Sequence, residues 1–190
     1  MAVDMPAPRI AVLTVSDGVS AGTRDDKTGV GIVEWVRARG AELVEHAVVS
    51  DDRDAIREEL ERLADEAGAD VVITTGGTGL TMRDVTPEAT LDVLHREAPG
   101  VAERIRGAGY RKTPYAALSR GVAGTRGDTF IVNLPGGPGA VQDGLEVLDG
   151  ILDHAVQLLR GIETGRHDHA AGGVGDAQDG ALDDAAGQTG

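Results

Sequence analysis

Three aspartates lie where a carboxylate could serve a phosphorylated ligand. Asp17 follows Ser16 and precedes Gly18 directly after an apolar run, Asp51 follows a second such run, and Asp84 lies shortly after a third. Oxygen ligands of this kind suit Mg²⁺, which proteins commonly bind through one or two carboxylates together with substrate phosphates. Without a metal, three carboxylates would repel a phosphate. The pattern therefore points to a phosphate- or nucleotide-type ligand held with the help of magnesium.

A glycine-rich stretch between Asp51 and Asp84 could supply the remaining contacts. It consists of Thr75, Gly76, Gly77, Thr78 and Gly79. Glycine adopts backbone angles closed to other residues, so several N–H groups can point at one phosphate or ring, and threonine hydroxyls add further donors. The stretch is neither a Walker A motif nor a G-x-G-x-x-G fingerprint. A second tight turn contains Asn133, Leu134, Pro135 and Gly136.

Each of these features also has a purely structural interpretation. Asp51, beside Asp52, fits the N-cap of a helix, Asp17 with the glycine after it fits an ordinary turn, and Asp84 fits an exposed loop charge. A lone glycine-rich stretch occurs in many loops. Residue types alone therefore favour a phosphate- or nucleotide-type ligand and name no reaction.

An alternation of strands and helices is predicted to bring these segments together. Short apolar or β-branched runs predict strands at residues 9–16, 43–50, 70–75, 118–125 and 129–133. Apolar residues at helical spacing, with caps and breakers, predict helices at residues 28–39, 52–67, 86–97, 101–106 and, unbroken, 140–160. Strands separated by helices imply an α/β fold, a three-layer α/β/α sandwich with a mostly parallel central sheet.

Strand direction decides where the candidate residues meet. Right-handed crossovers place every loop that follows a parallel strand at one edge of the sheet. Ligands bind open α/β sheets at that edge, where the strand order switches. We therefore expect the Ser16–Gly18 loop, Asp51, the glycine-rich stretch with Asp84, and the Asn133 turn to converge.

Composition excludes several classes of protein. The chain has 190 residues and no cysteine, which excludes disulfides, thiolate metal sites and a cysteine nucleophile. Acidic residues number 32 against 18 basic ones, and a net charge of −14 argues against binding to nucleic acid or to an anionic membrane. No apolar run approaches the ~18 residues of a membrane span and no signal-peptide pattern occurs, so we expect a cytoplasmic protein.

Three segments are predicted along the chain. They are an N-terminal extension at 1–8, one domain at 9–162 and a tail at 163–190. The tail is rich in Gly, Ala, Asp and Gln, so it is predicted to be disordered. It contains His167 and His169, whose spacing resembles a metal clip but whose position in the tail argues against one. The other histidines, which lie within predicted elements, are interpreted as ordinary core or surface residues: His46, His95 and His154.

The combined motifs resemble one known family. The stretch TTGGTGLTMRDVTPEAT at 74–90 is similar to the signature of the MogA/MoaB family of molybdopterin adenylyltransferases, whose fold also occurs in gephyrin-type G domains. Ser16-Asp17-Gly18 with Asp26-Lys27 resembles the family's N-terminal loop, and NLPG at 133–136 with Pro138 resembles its NLPG-x-P turn. The resemblance extends from about residue 9 to residue 161, and the combination is specific where its parts are not.

The resemblance implies a reaction. Members of the family transfer AMP from ATP to molybdopterin with Mg²⁺, releasing pyrophosphate, and usually form homotrimers. The implied partners are molybdopterin, ATP and the downstream metal-insertion protein. The family's catalytic and metal-binding carboxylates map onto Asp51 and Asp84. Its ligand pocket maps onto Ser16, Asp17, Gly18, Thr75, Gly76, Gly77, Thr78, Gly79, Asn133, Pro135 and Gly136, and we expect Lys27 and Arg83 to neutralise pyrophosphate.

Two other functions remain open. A non-catalytic molybdopterin-binding carrier or regulatory module would use the same loops, although the presence of both Asp51 and Asp84 favours an enzyme. A scaffold is the second alternative, and the absence of an attached interaction domain argues against it. For the enzyme no general base is needed, because the attacking phosphate already carries a charge of about −1.5 to −2 at pH 7.

Overall fold

The computed structural model describes residues 6–162. The predicted tail, its His167 and His169, and the first five residues of the predicted extension lie outside the described residues. The strands are β1 (Arg9–Val15), β2 (Glu42–Val49), β3 (Val71–Thr75), β4 (Arg96–Glu97), β5 (Ala123–Arg126) and β6 (Thr129–Leu134). The helices are α1 (Asp17–Ser20), α2 (Lys27–Ala38), α3 (Arg53–Asp65), α4 (Thr86–Val93), α5 (Pro99–Tyr110), a 3₁₀ turn (Pro114–Leu118), α6 (Pro138–Asp149) and α7 (Leu152–Leu159).

The strands form one mixed sheet in the order β2-β1-β3-β6-β5-β4. The first four of these are parallel to one another, while β5 and β4 run antiparallel at one end. Strand order reverses between β1 and β3, because the chain moves from β1 to β2 on one side and then to β3 on the other. The predicted mostly parallel sheet is confirmed, and its switch point lies between β1 and β3.

Alternating side chains of β1 show why the fold has three layers. Ile10 and Val12 are fully buried against one group of helices, which includes α2, α5, α6 and α7. Ala11 and Leu13, between and after them, are fully buried against α3 and α4 on the opposite face. Successive side chains of a strand point to opposite faces of the sheet, so a strand that is apolar at every position must be covered on both faces. The predicted α/β/α sandwich is therefore confirmed.

The prediction of a single helix at 140–160 is wrong. The helix divides into α6 and α7 at Gly150 and Ile151, although the apolar spacing continues across the break. The N–H of Gly150 bonds to the carbonyl of Val147 and that of Ile151 to the carbonyl of Leu148, at 3.2 and 3.0 Å. These tighter three-residue bonds end α6. Leu148 and Leu152, on either side of the break, are both fully buried, so the apolar spacing reflects packing of two successive helices on one core.

Other element boundaries also differ from the predictions. The helix that starts at Thr86 ends at Val93 rather than at 97, because Arg96 and the residue after it pair with β5. The predicted strand at 118–125 begins only at Ala123, and α5 is twice the predicted length. No helix within residues 6–162 is both long and apolar enough to cross a membrane.

Candidate active site

The loops that follow the parallel strands meet at the carboxyl edge of the sheet and surround a cavity of about 640 Å³, here called the polar cavity. The predicted site residues that line it are Ser16, Asp51, Thr75, Gly76, Gly77, Asp84 and Gly136. Most of the remaining wall comes from the loop at 23–28, which contributes two cations, Arg24 and Lys27. The cavity lies at the switch point of the sheet, where open α/β sheets bind ligands.

A second cavity of about 560 Å³, here called the apolar cavity, adjoins the first and shares Gly77, Asp84 and Gly136 with it. It adds three more of the predicted residues, Thr78, Gly79 and Pro135. Its wall is mainly apolar and includes Ile105, Tyr115, Ala116, Leu118 and Ala140. Sequence reasoning missed this cavity, because it forms where α5, the 3₁₀ turn and α6 pack together and no local pattern encodes that contact.

Asp17 and Asp51 bind each other's backbone. The N–H of Asp17 donates to Asp51 Oδ2 at 2.8 Å, and the N–H of Asp51 donates to Asp17 Oδ1 at 3.0 Å. Arg83 donates to Asp17 Oδ2 from Nη2 at 2.6 Å and from Nε at 3.1 Å. Hydrogen bonds from Arg83 and then from the Asp51 N–H hold the pKa of Asp17 below its ordinary value of 3.8. Arg83 therefore steadies these loops and does not line either cavity.

The capping interpretation of Asp51 is excluded by its neighbour. Asp52 is the N-cap of α3, and its Oδ1 accepts from the N–H of Ala55 at 2.9 Å. Asp51 is left to face the glycine-rich stretch: its Oδ1 lies 3.2 Å from the position that a Cβ on Gly77 would occupy. A carboxylate oxygen beside the backbone of Gly77 is thus available to the polar cavity.

The glycine-rich stretch needs glycine at two positions. Gly76 and Gly77 have φ angles of +98° and +63°, which side-chain-bearing residues rarely adopt. A Cβ on Gly76 would overlap the carbonyl oxygen of Val15, at the end of β1. The hydroxyl of Thr86 holds the stretch from the other side, donating to the carbonyl of Gly76 at 2.9 Å. The chain can therefore turn tightly across the end of β1 only without side chains.

Asp84 is oriented by its own loop. Its Oδ2 accepts hydrogen bonds from the N–H and hydroxyl of Thr81, at 2.8 and 2.6 Å. Burial on its own would raise the pKa of Asp84. The hydrogen bonds from Thr81 and from the N–H of Gly79, with the charge of Arg120, outweigh burial, and the pKa lies below its ordinary value of 3.8. Asp84 is therefore held ionised at the junction of the two cavities.

Arg120 clamps the glycine-rich loop and was missed by sequence reasoning. Its Nε donates to the carbonyl of Gly79 at 2.7 Å, and its Nη2 donates to the carbonyl of Asp84. Its guanidinium also forms an ion pair with Glu88 on α4, and its backbone N–H donates to the carbonyl of Thr78 at 2.9 Å. No sequence signal marks it, because these contacts join residues more than 30 positions apart.

A partly buried polar network supports the wall of the polar cavity. The hydroxyl of Thr14 donates to Asp26 Oδ2 at 2.6 Å, and His46 Nε2 lies 3.0 Å from the same oxygen. The other oxygen of Asp26 accepts from the N–H of Gly29 at 2.7 Å and caps α2. The network fixes the start of α2, where Lys27 lines the cavity. His46, interpreted from the sequence as an ordinary histidine, thus takes part in supporting the site.

Besides Arg83, three residues of the predicted ligand pocket line neither cavity. They are Asp17, Gly18 and Asn133. Asn133 is buried, and its side-chain amide donates to the hydroxyls of Thr74 and Thr90 at 3.0 and 2.9 Å. It joins β6 to β3 and α4 beneath the turn. Both N–H donors of the Asn133 amide are used in these bonds, so Asn133 supports the turn from inside the core and does not contact a ligand in either cavity.

The carboxylates fit magnesium only with help from a ligand. Within the described residues, no group of three or more His, Cys, Asp or Glu side chains is arranged to hold a metal ion. Asp51 and Asp84 both line the polar cavity. Mg²⁺ is commonly bound by one or two carboxylates, waters and substrate phosphates. This donor set therefore suits Mg²⁺ that arrives with a phosphorylated substrate.

Comparison with known proteins gives a consistent result. The family described as "Probable molybdopterin binding domain" matches residues 11–154. A protein named molybdopterin adenylyltransferase from Helicobacter pylori strain J99 is 38% identical over 159 residues, covering 83% of this chain and 90% of that protein.

Two solved structures are similar in fold and in sequence. The molybdopterin biosynthesis enzyme MoaB of Thermus thermophilus is 47% identical, with a TM-score of 0.76 and coverage of 80% of this chain and 96% of that one. The Mog protein of Mycobacterium ulcerans is 42% identical, with a TM-score of 0.77 and coverage of 80% and 99%. With its fold, its loops and most of its length matched, the chain belongs to the molybdopterin-binding-domain family that includes MoaB and Mog proteins.

Proposed function

We propose that this protein is a molybdopterin adenylyltransferase, which transfers AMP from ATP to molybdopterin in molybdenum cofactor biosynthesis. The observation that carries the proposal is the position of Asp51 and Asp84 on two sides of the glycine-rich stretch, where a polar and an apolar cavity join. A nucleotide with its phosphates and a phosphorylated heterocycle need such a pair of adjoining sites. The relatives' name, molybdopterin adenylyltransferase, supports this assignment.

The reaction requires positioning more than acid–base chemistry. An oxygen of the terminal phosphate of molybdopterin attacks the α-phosphorus of ATP, the bond from that phosphorus to the β-phosphate oxygen breaks, and pyrophosphate leaves with the electron pair. The attacking phosphate is already anionic at pH 7, so no side chain must remove a proton. The main barrier is the approach of two polyanions, which is lowered by alignment and charge neutralisation.

The proposed roles follow from placement. Asp51 and Asp84 would hold Mg²⁺, which supplies positive charge to the reacting phosphates when it is bound. Lys27 and Arg24, on the wall of the polar cavity, are the cations placed to neutralise the departing pyrophosphate. Arg83, expected from the sequence to do this, is occupied by Asp17 and is assigned the task of positioning.

The remaining predictions concern the cellular setting. A homotrimer and contact with a downstream metal-insertion protein are implied by the family resemblance, whereas a cytoplasmic location is the expectation from the sequence. We propose all three, and size-exclusion chromatography with light scattering would test the trimer directly.

The function is tested by supplying molybdopterin, ATP and MgCl₂ and measuring released pyrophosphate and adenylylated molybdopterin. We expect stoichiometric formation of both with wild-type protein. Asp51→Asn should lower the rate by about 100-fold, because the site loses one of the two carboxylates that would hold Mg²⁺ at the reacting phosphates. Asp52→Asn removes the neighbouring charge, which caps α3 and lies outside both cavities, and should stay within a few fold of wild type.

Two outcomes would overturn the proposal. Molybdopterin binding without pyrophosphate release would identify the protein as a carrier or regulatory module. Equal loss of rate in Asp51→Asn and Asp52→Asn would show that general charge loss or unfolding, and not the placement of Asp51, controls the reaction.

A further inference from the structure

We propose that Asp143 recognises the aminopyrimidinone edge of a pterin ring in the apolar cavity. This inference rests on the proposed function, since it assigns part of the same site to one portion of the substrate. Asp143 lies on α6, and its side chain is 7% exposed, although the cavity that it lines is mainly apolar. A carboxylate buried to this extent is costly unless it has charged or hydrogen-bonding partners.

One oxygen of Asp143 has a partner and the other faces the cavity. Lys112 donates to Oδ1. Oδ2 has no hydrogen-bond donor among residues 6–162, where every fully buried side-chain oxygen and nitrogen has a partner. Oδ2 must therefore be open to the cavity. Gly109 on α5 lies beside this oxygen, since a Cβ placed on Gly109 would be in ordinary contact with it at 3.8 Å.

Lys112 leaves Asp143 available to a ligand. The lysine side chain lines the apolar cavity and is 63% exposed, so its ammonium is mostly solvated. The pKa of Lys112 is raised by its hydrogen bond to Asp143, so the ammonium keeps its charge at neutral pH. A carboxylate with Lys112 on one oxygen and the other oxygen free can accept a further hydrogen bond and still keep its counter-charge.

The other charged groups of the apolar cavity are committed elsewhere. Arg106 donates to the carbonyl oxygens of Ser119 and Gly121, at 3.4 and 2.9 Å. Asp84 lies at the shared junction with the polar cavity and is bound by its own loop. Within the described residues, Asp143 is therefore the charged acceptor that the wall of the apolar cavity offers to a ring.

Pterin chemistry matches this arrangement. A pterin is a flat heterocycle with an N–H and an exocyclic NH₂ group side by side on one edge. Its faces suit apolar walls, and its two donors suit a carboxylate, for which charge-assisted hydrogen bonds are among the strongest. The ring would then occupy the apolar cavity, and the phosphate would extend to the junction, where Asp84 would hold Mg²⁺.

Free pterin and lumazine provide the test, because lumazine carries a carbonyl oxygen where pterin carries the exocyclic amino group. Binding is measured by fluorescence titration. We expect wild-type protein to bind pterin about 10-fold or more tighter than lumazine, the difference produced by losing a hydrogen bond to a charged group. Asp143→Asn should abolish this preference and Asp143→Glu should retain it. Lys112→Met should also retain it, because the exocyclic amino group that lumazine lacks is assigned to Oδ2, whereas Lys112 contacts Oδ1.

ATP affinity of each variant, measured by calorimetry with MgCl₂, reports whether the polar cavity is intact. Equal affinity of wild-type protein for pterin and lumazine, no saturable pterin binding, or an unchanged preference in Asp143→Asn would each overturn the inference. Failure of the proposed function is separate: wild-type protein that prefers pterin but releases no pyrophosphate would contradict the enzyme and leave the role of Asp143 standing.

Discussion

Asp17 and Asp51 each accept a hydrogen bond from the other's backbone N–H, at 3.0 and 2.8 Å. The reciprocal bonds tie the loop after β1 to the loop after β2. Asp51 Oδ2 is consumed in this pair, while its Oδ1 faces Gly77. Asp17, which lines neither cavity, thus acts on the site by fixing the direction of Asp51.

This pair makes stability depend on pH in a defined direction. The pKa of Asp17 lies below 3.8, chiefly because of the hydrogen bonds from Arg83, so the folded state favours the ionised form. Its contribution is present above the unfolded pKa and is lost as pH falls through the folded pKa. Asp17→Asn should therefore lower Tm relative to wild type above about pH 5, and the difference should shrink as the pH falls below about 4.

Thermal unfolding between about pH 3 and pH 7 measures this difference. Asp128→Asn, in the turn between β5 and β6, removes the same charge far from the pair and serves as the control. A Tm difference for Asp17→Asn that stays constant across the pH range would contradict the assignment.

Substitution of Asp84 tests whether the junction of the two cavities is the reacting centre. Asp84→Asn keeps the size of the side chain and removes its charge, so we expect kcat to fall by about 100-fold while ATP binding falls less. Asp92→Asn is a matched control, since Asp92 pairs with Arg53 and lines neither cavity. Steady-state pyrophosphate release gives both parameters. Near-wild-type turnover by Asp84→Asn would remove Asp84 from the reacting centre.

Gly29 and Gly31 form a matched pair on α2. A Cβ on Gly29 would overlap Thr14, Asp26 and His46, whereas a Cβ on Gly31 would meet nothing within 4 Å. Gly31→Ala should stabilise the protein by about 0.5–1 kcal/mol, because alanine is the better helix former. Gly29→Ala should destabilise it by about 1–3 kcal/mol, because the hydrogen bonds of the partly buried network of Thr14, Asp26 and His46 must separate.

Urea unfolding measures both changes, and ATP binding reports the effect on the polar cavity. Gly29→Ala should also weaken ATP binding, since the network sets the start of α2 beside Lys27. If both alanine variants gained stability equally, the network would not constrain the helix.

The sequence predicts the parallel strands and the meeting of their loops, because buried strands need continuous apolar runs and crossovers have one hand. It does not predict the end of α6 at Gly150, since the same apolar spacing serves two helices packed on one core. The sequence cannot tell whether Asp51 or Asp52 caps α3. The structure distinguishes them, because Asp51 bonds to the loop that contains Asp17 while Asp52 caps the helix. The apolar cavity and Arg120 depend on contacts between distant segments, which local patterns do not encode.

Arg120 affects both the conformation of the glycine-rich loop and the pKa of Asp84, because its guanidinium bonds to the carbonyls of Gly79 and Asp84. Arg120→Lys keeps the positive charge but loses the planar group that contacts Gly79, Asp84 and Glu88 together. The loop should loosen, and we expect kcat/KM to fall by about 10-fold or more. The pKa of Asp84 should rise toward its ordinary value as the surrounding hydrogen bonds weaken. Because the ionised form is required, the acid limb of the rate profile should move to higher pH.

A pH profile of kcat/KM separates this role from simple instability. Arg126→Lys is the control, because Arg126 also bridges segments, through Asp65 and the carbonyl of Val93, but lies outside both cavities. It should lower stability without moving the acid limb. An acid limb that stays in place in Arg120→Lys, with rates reduced equally at every pH, would show that Arg120 supports the fold and does not position Asp84.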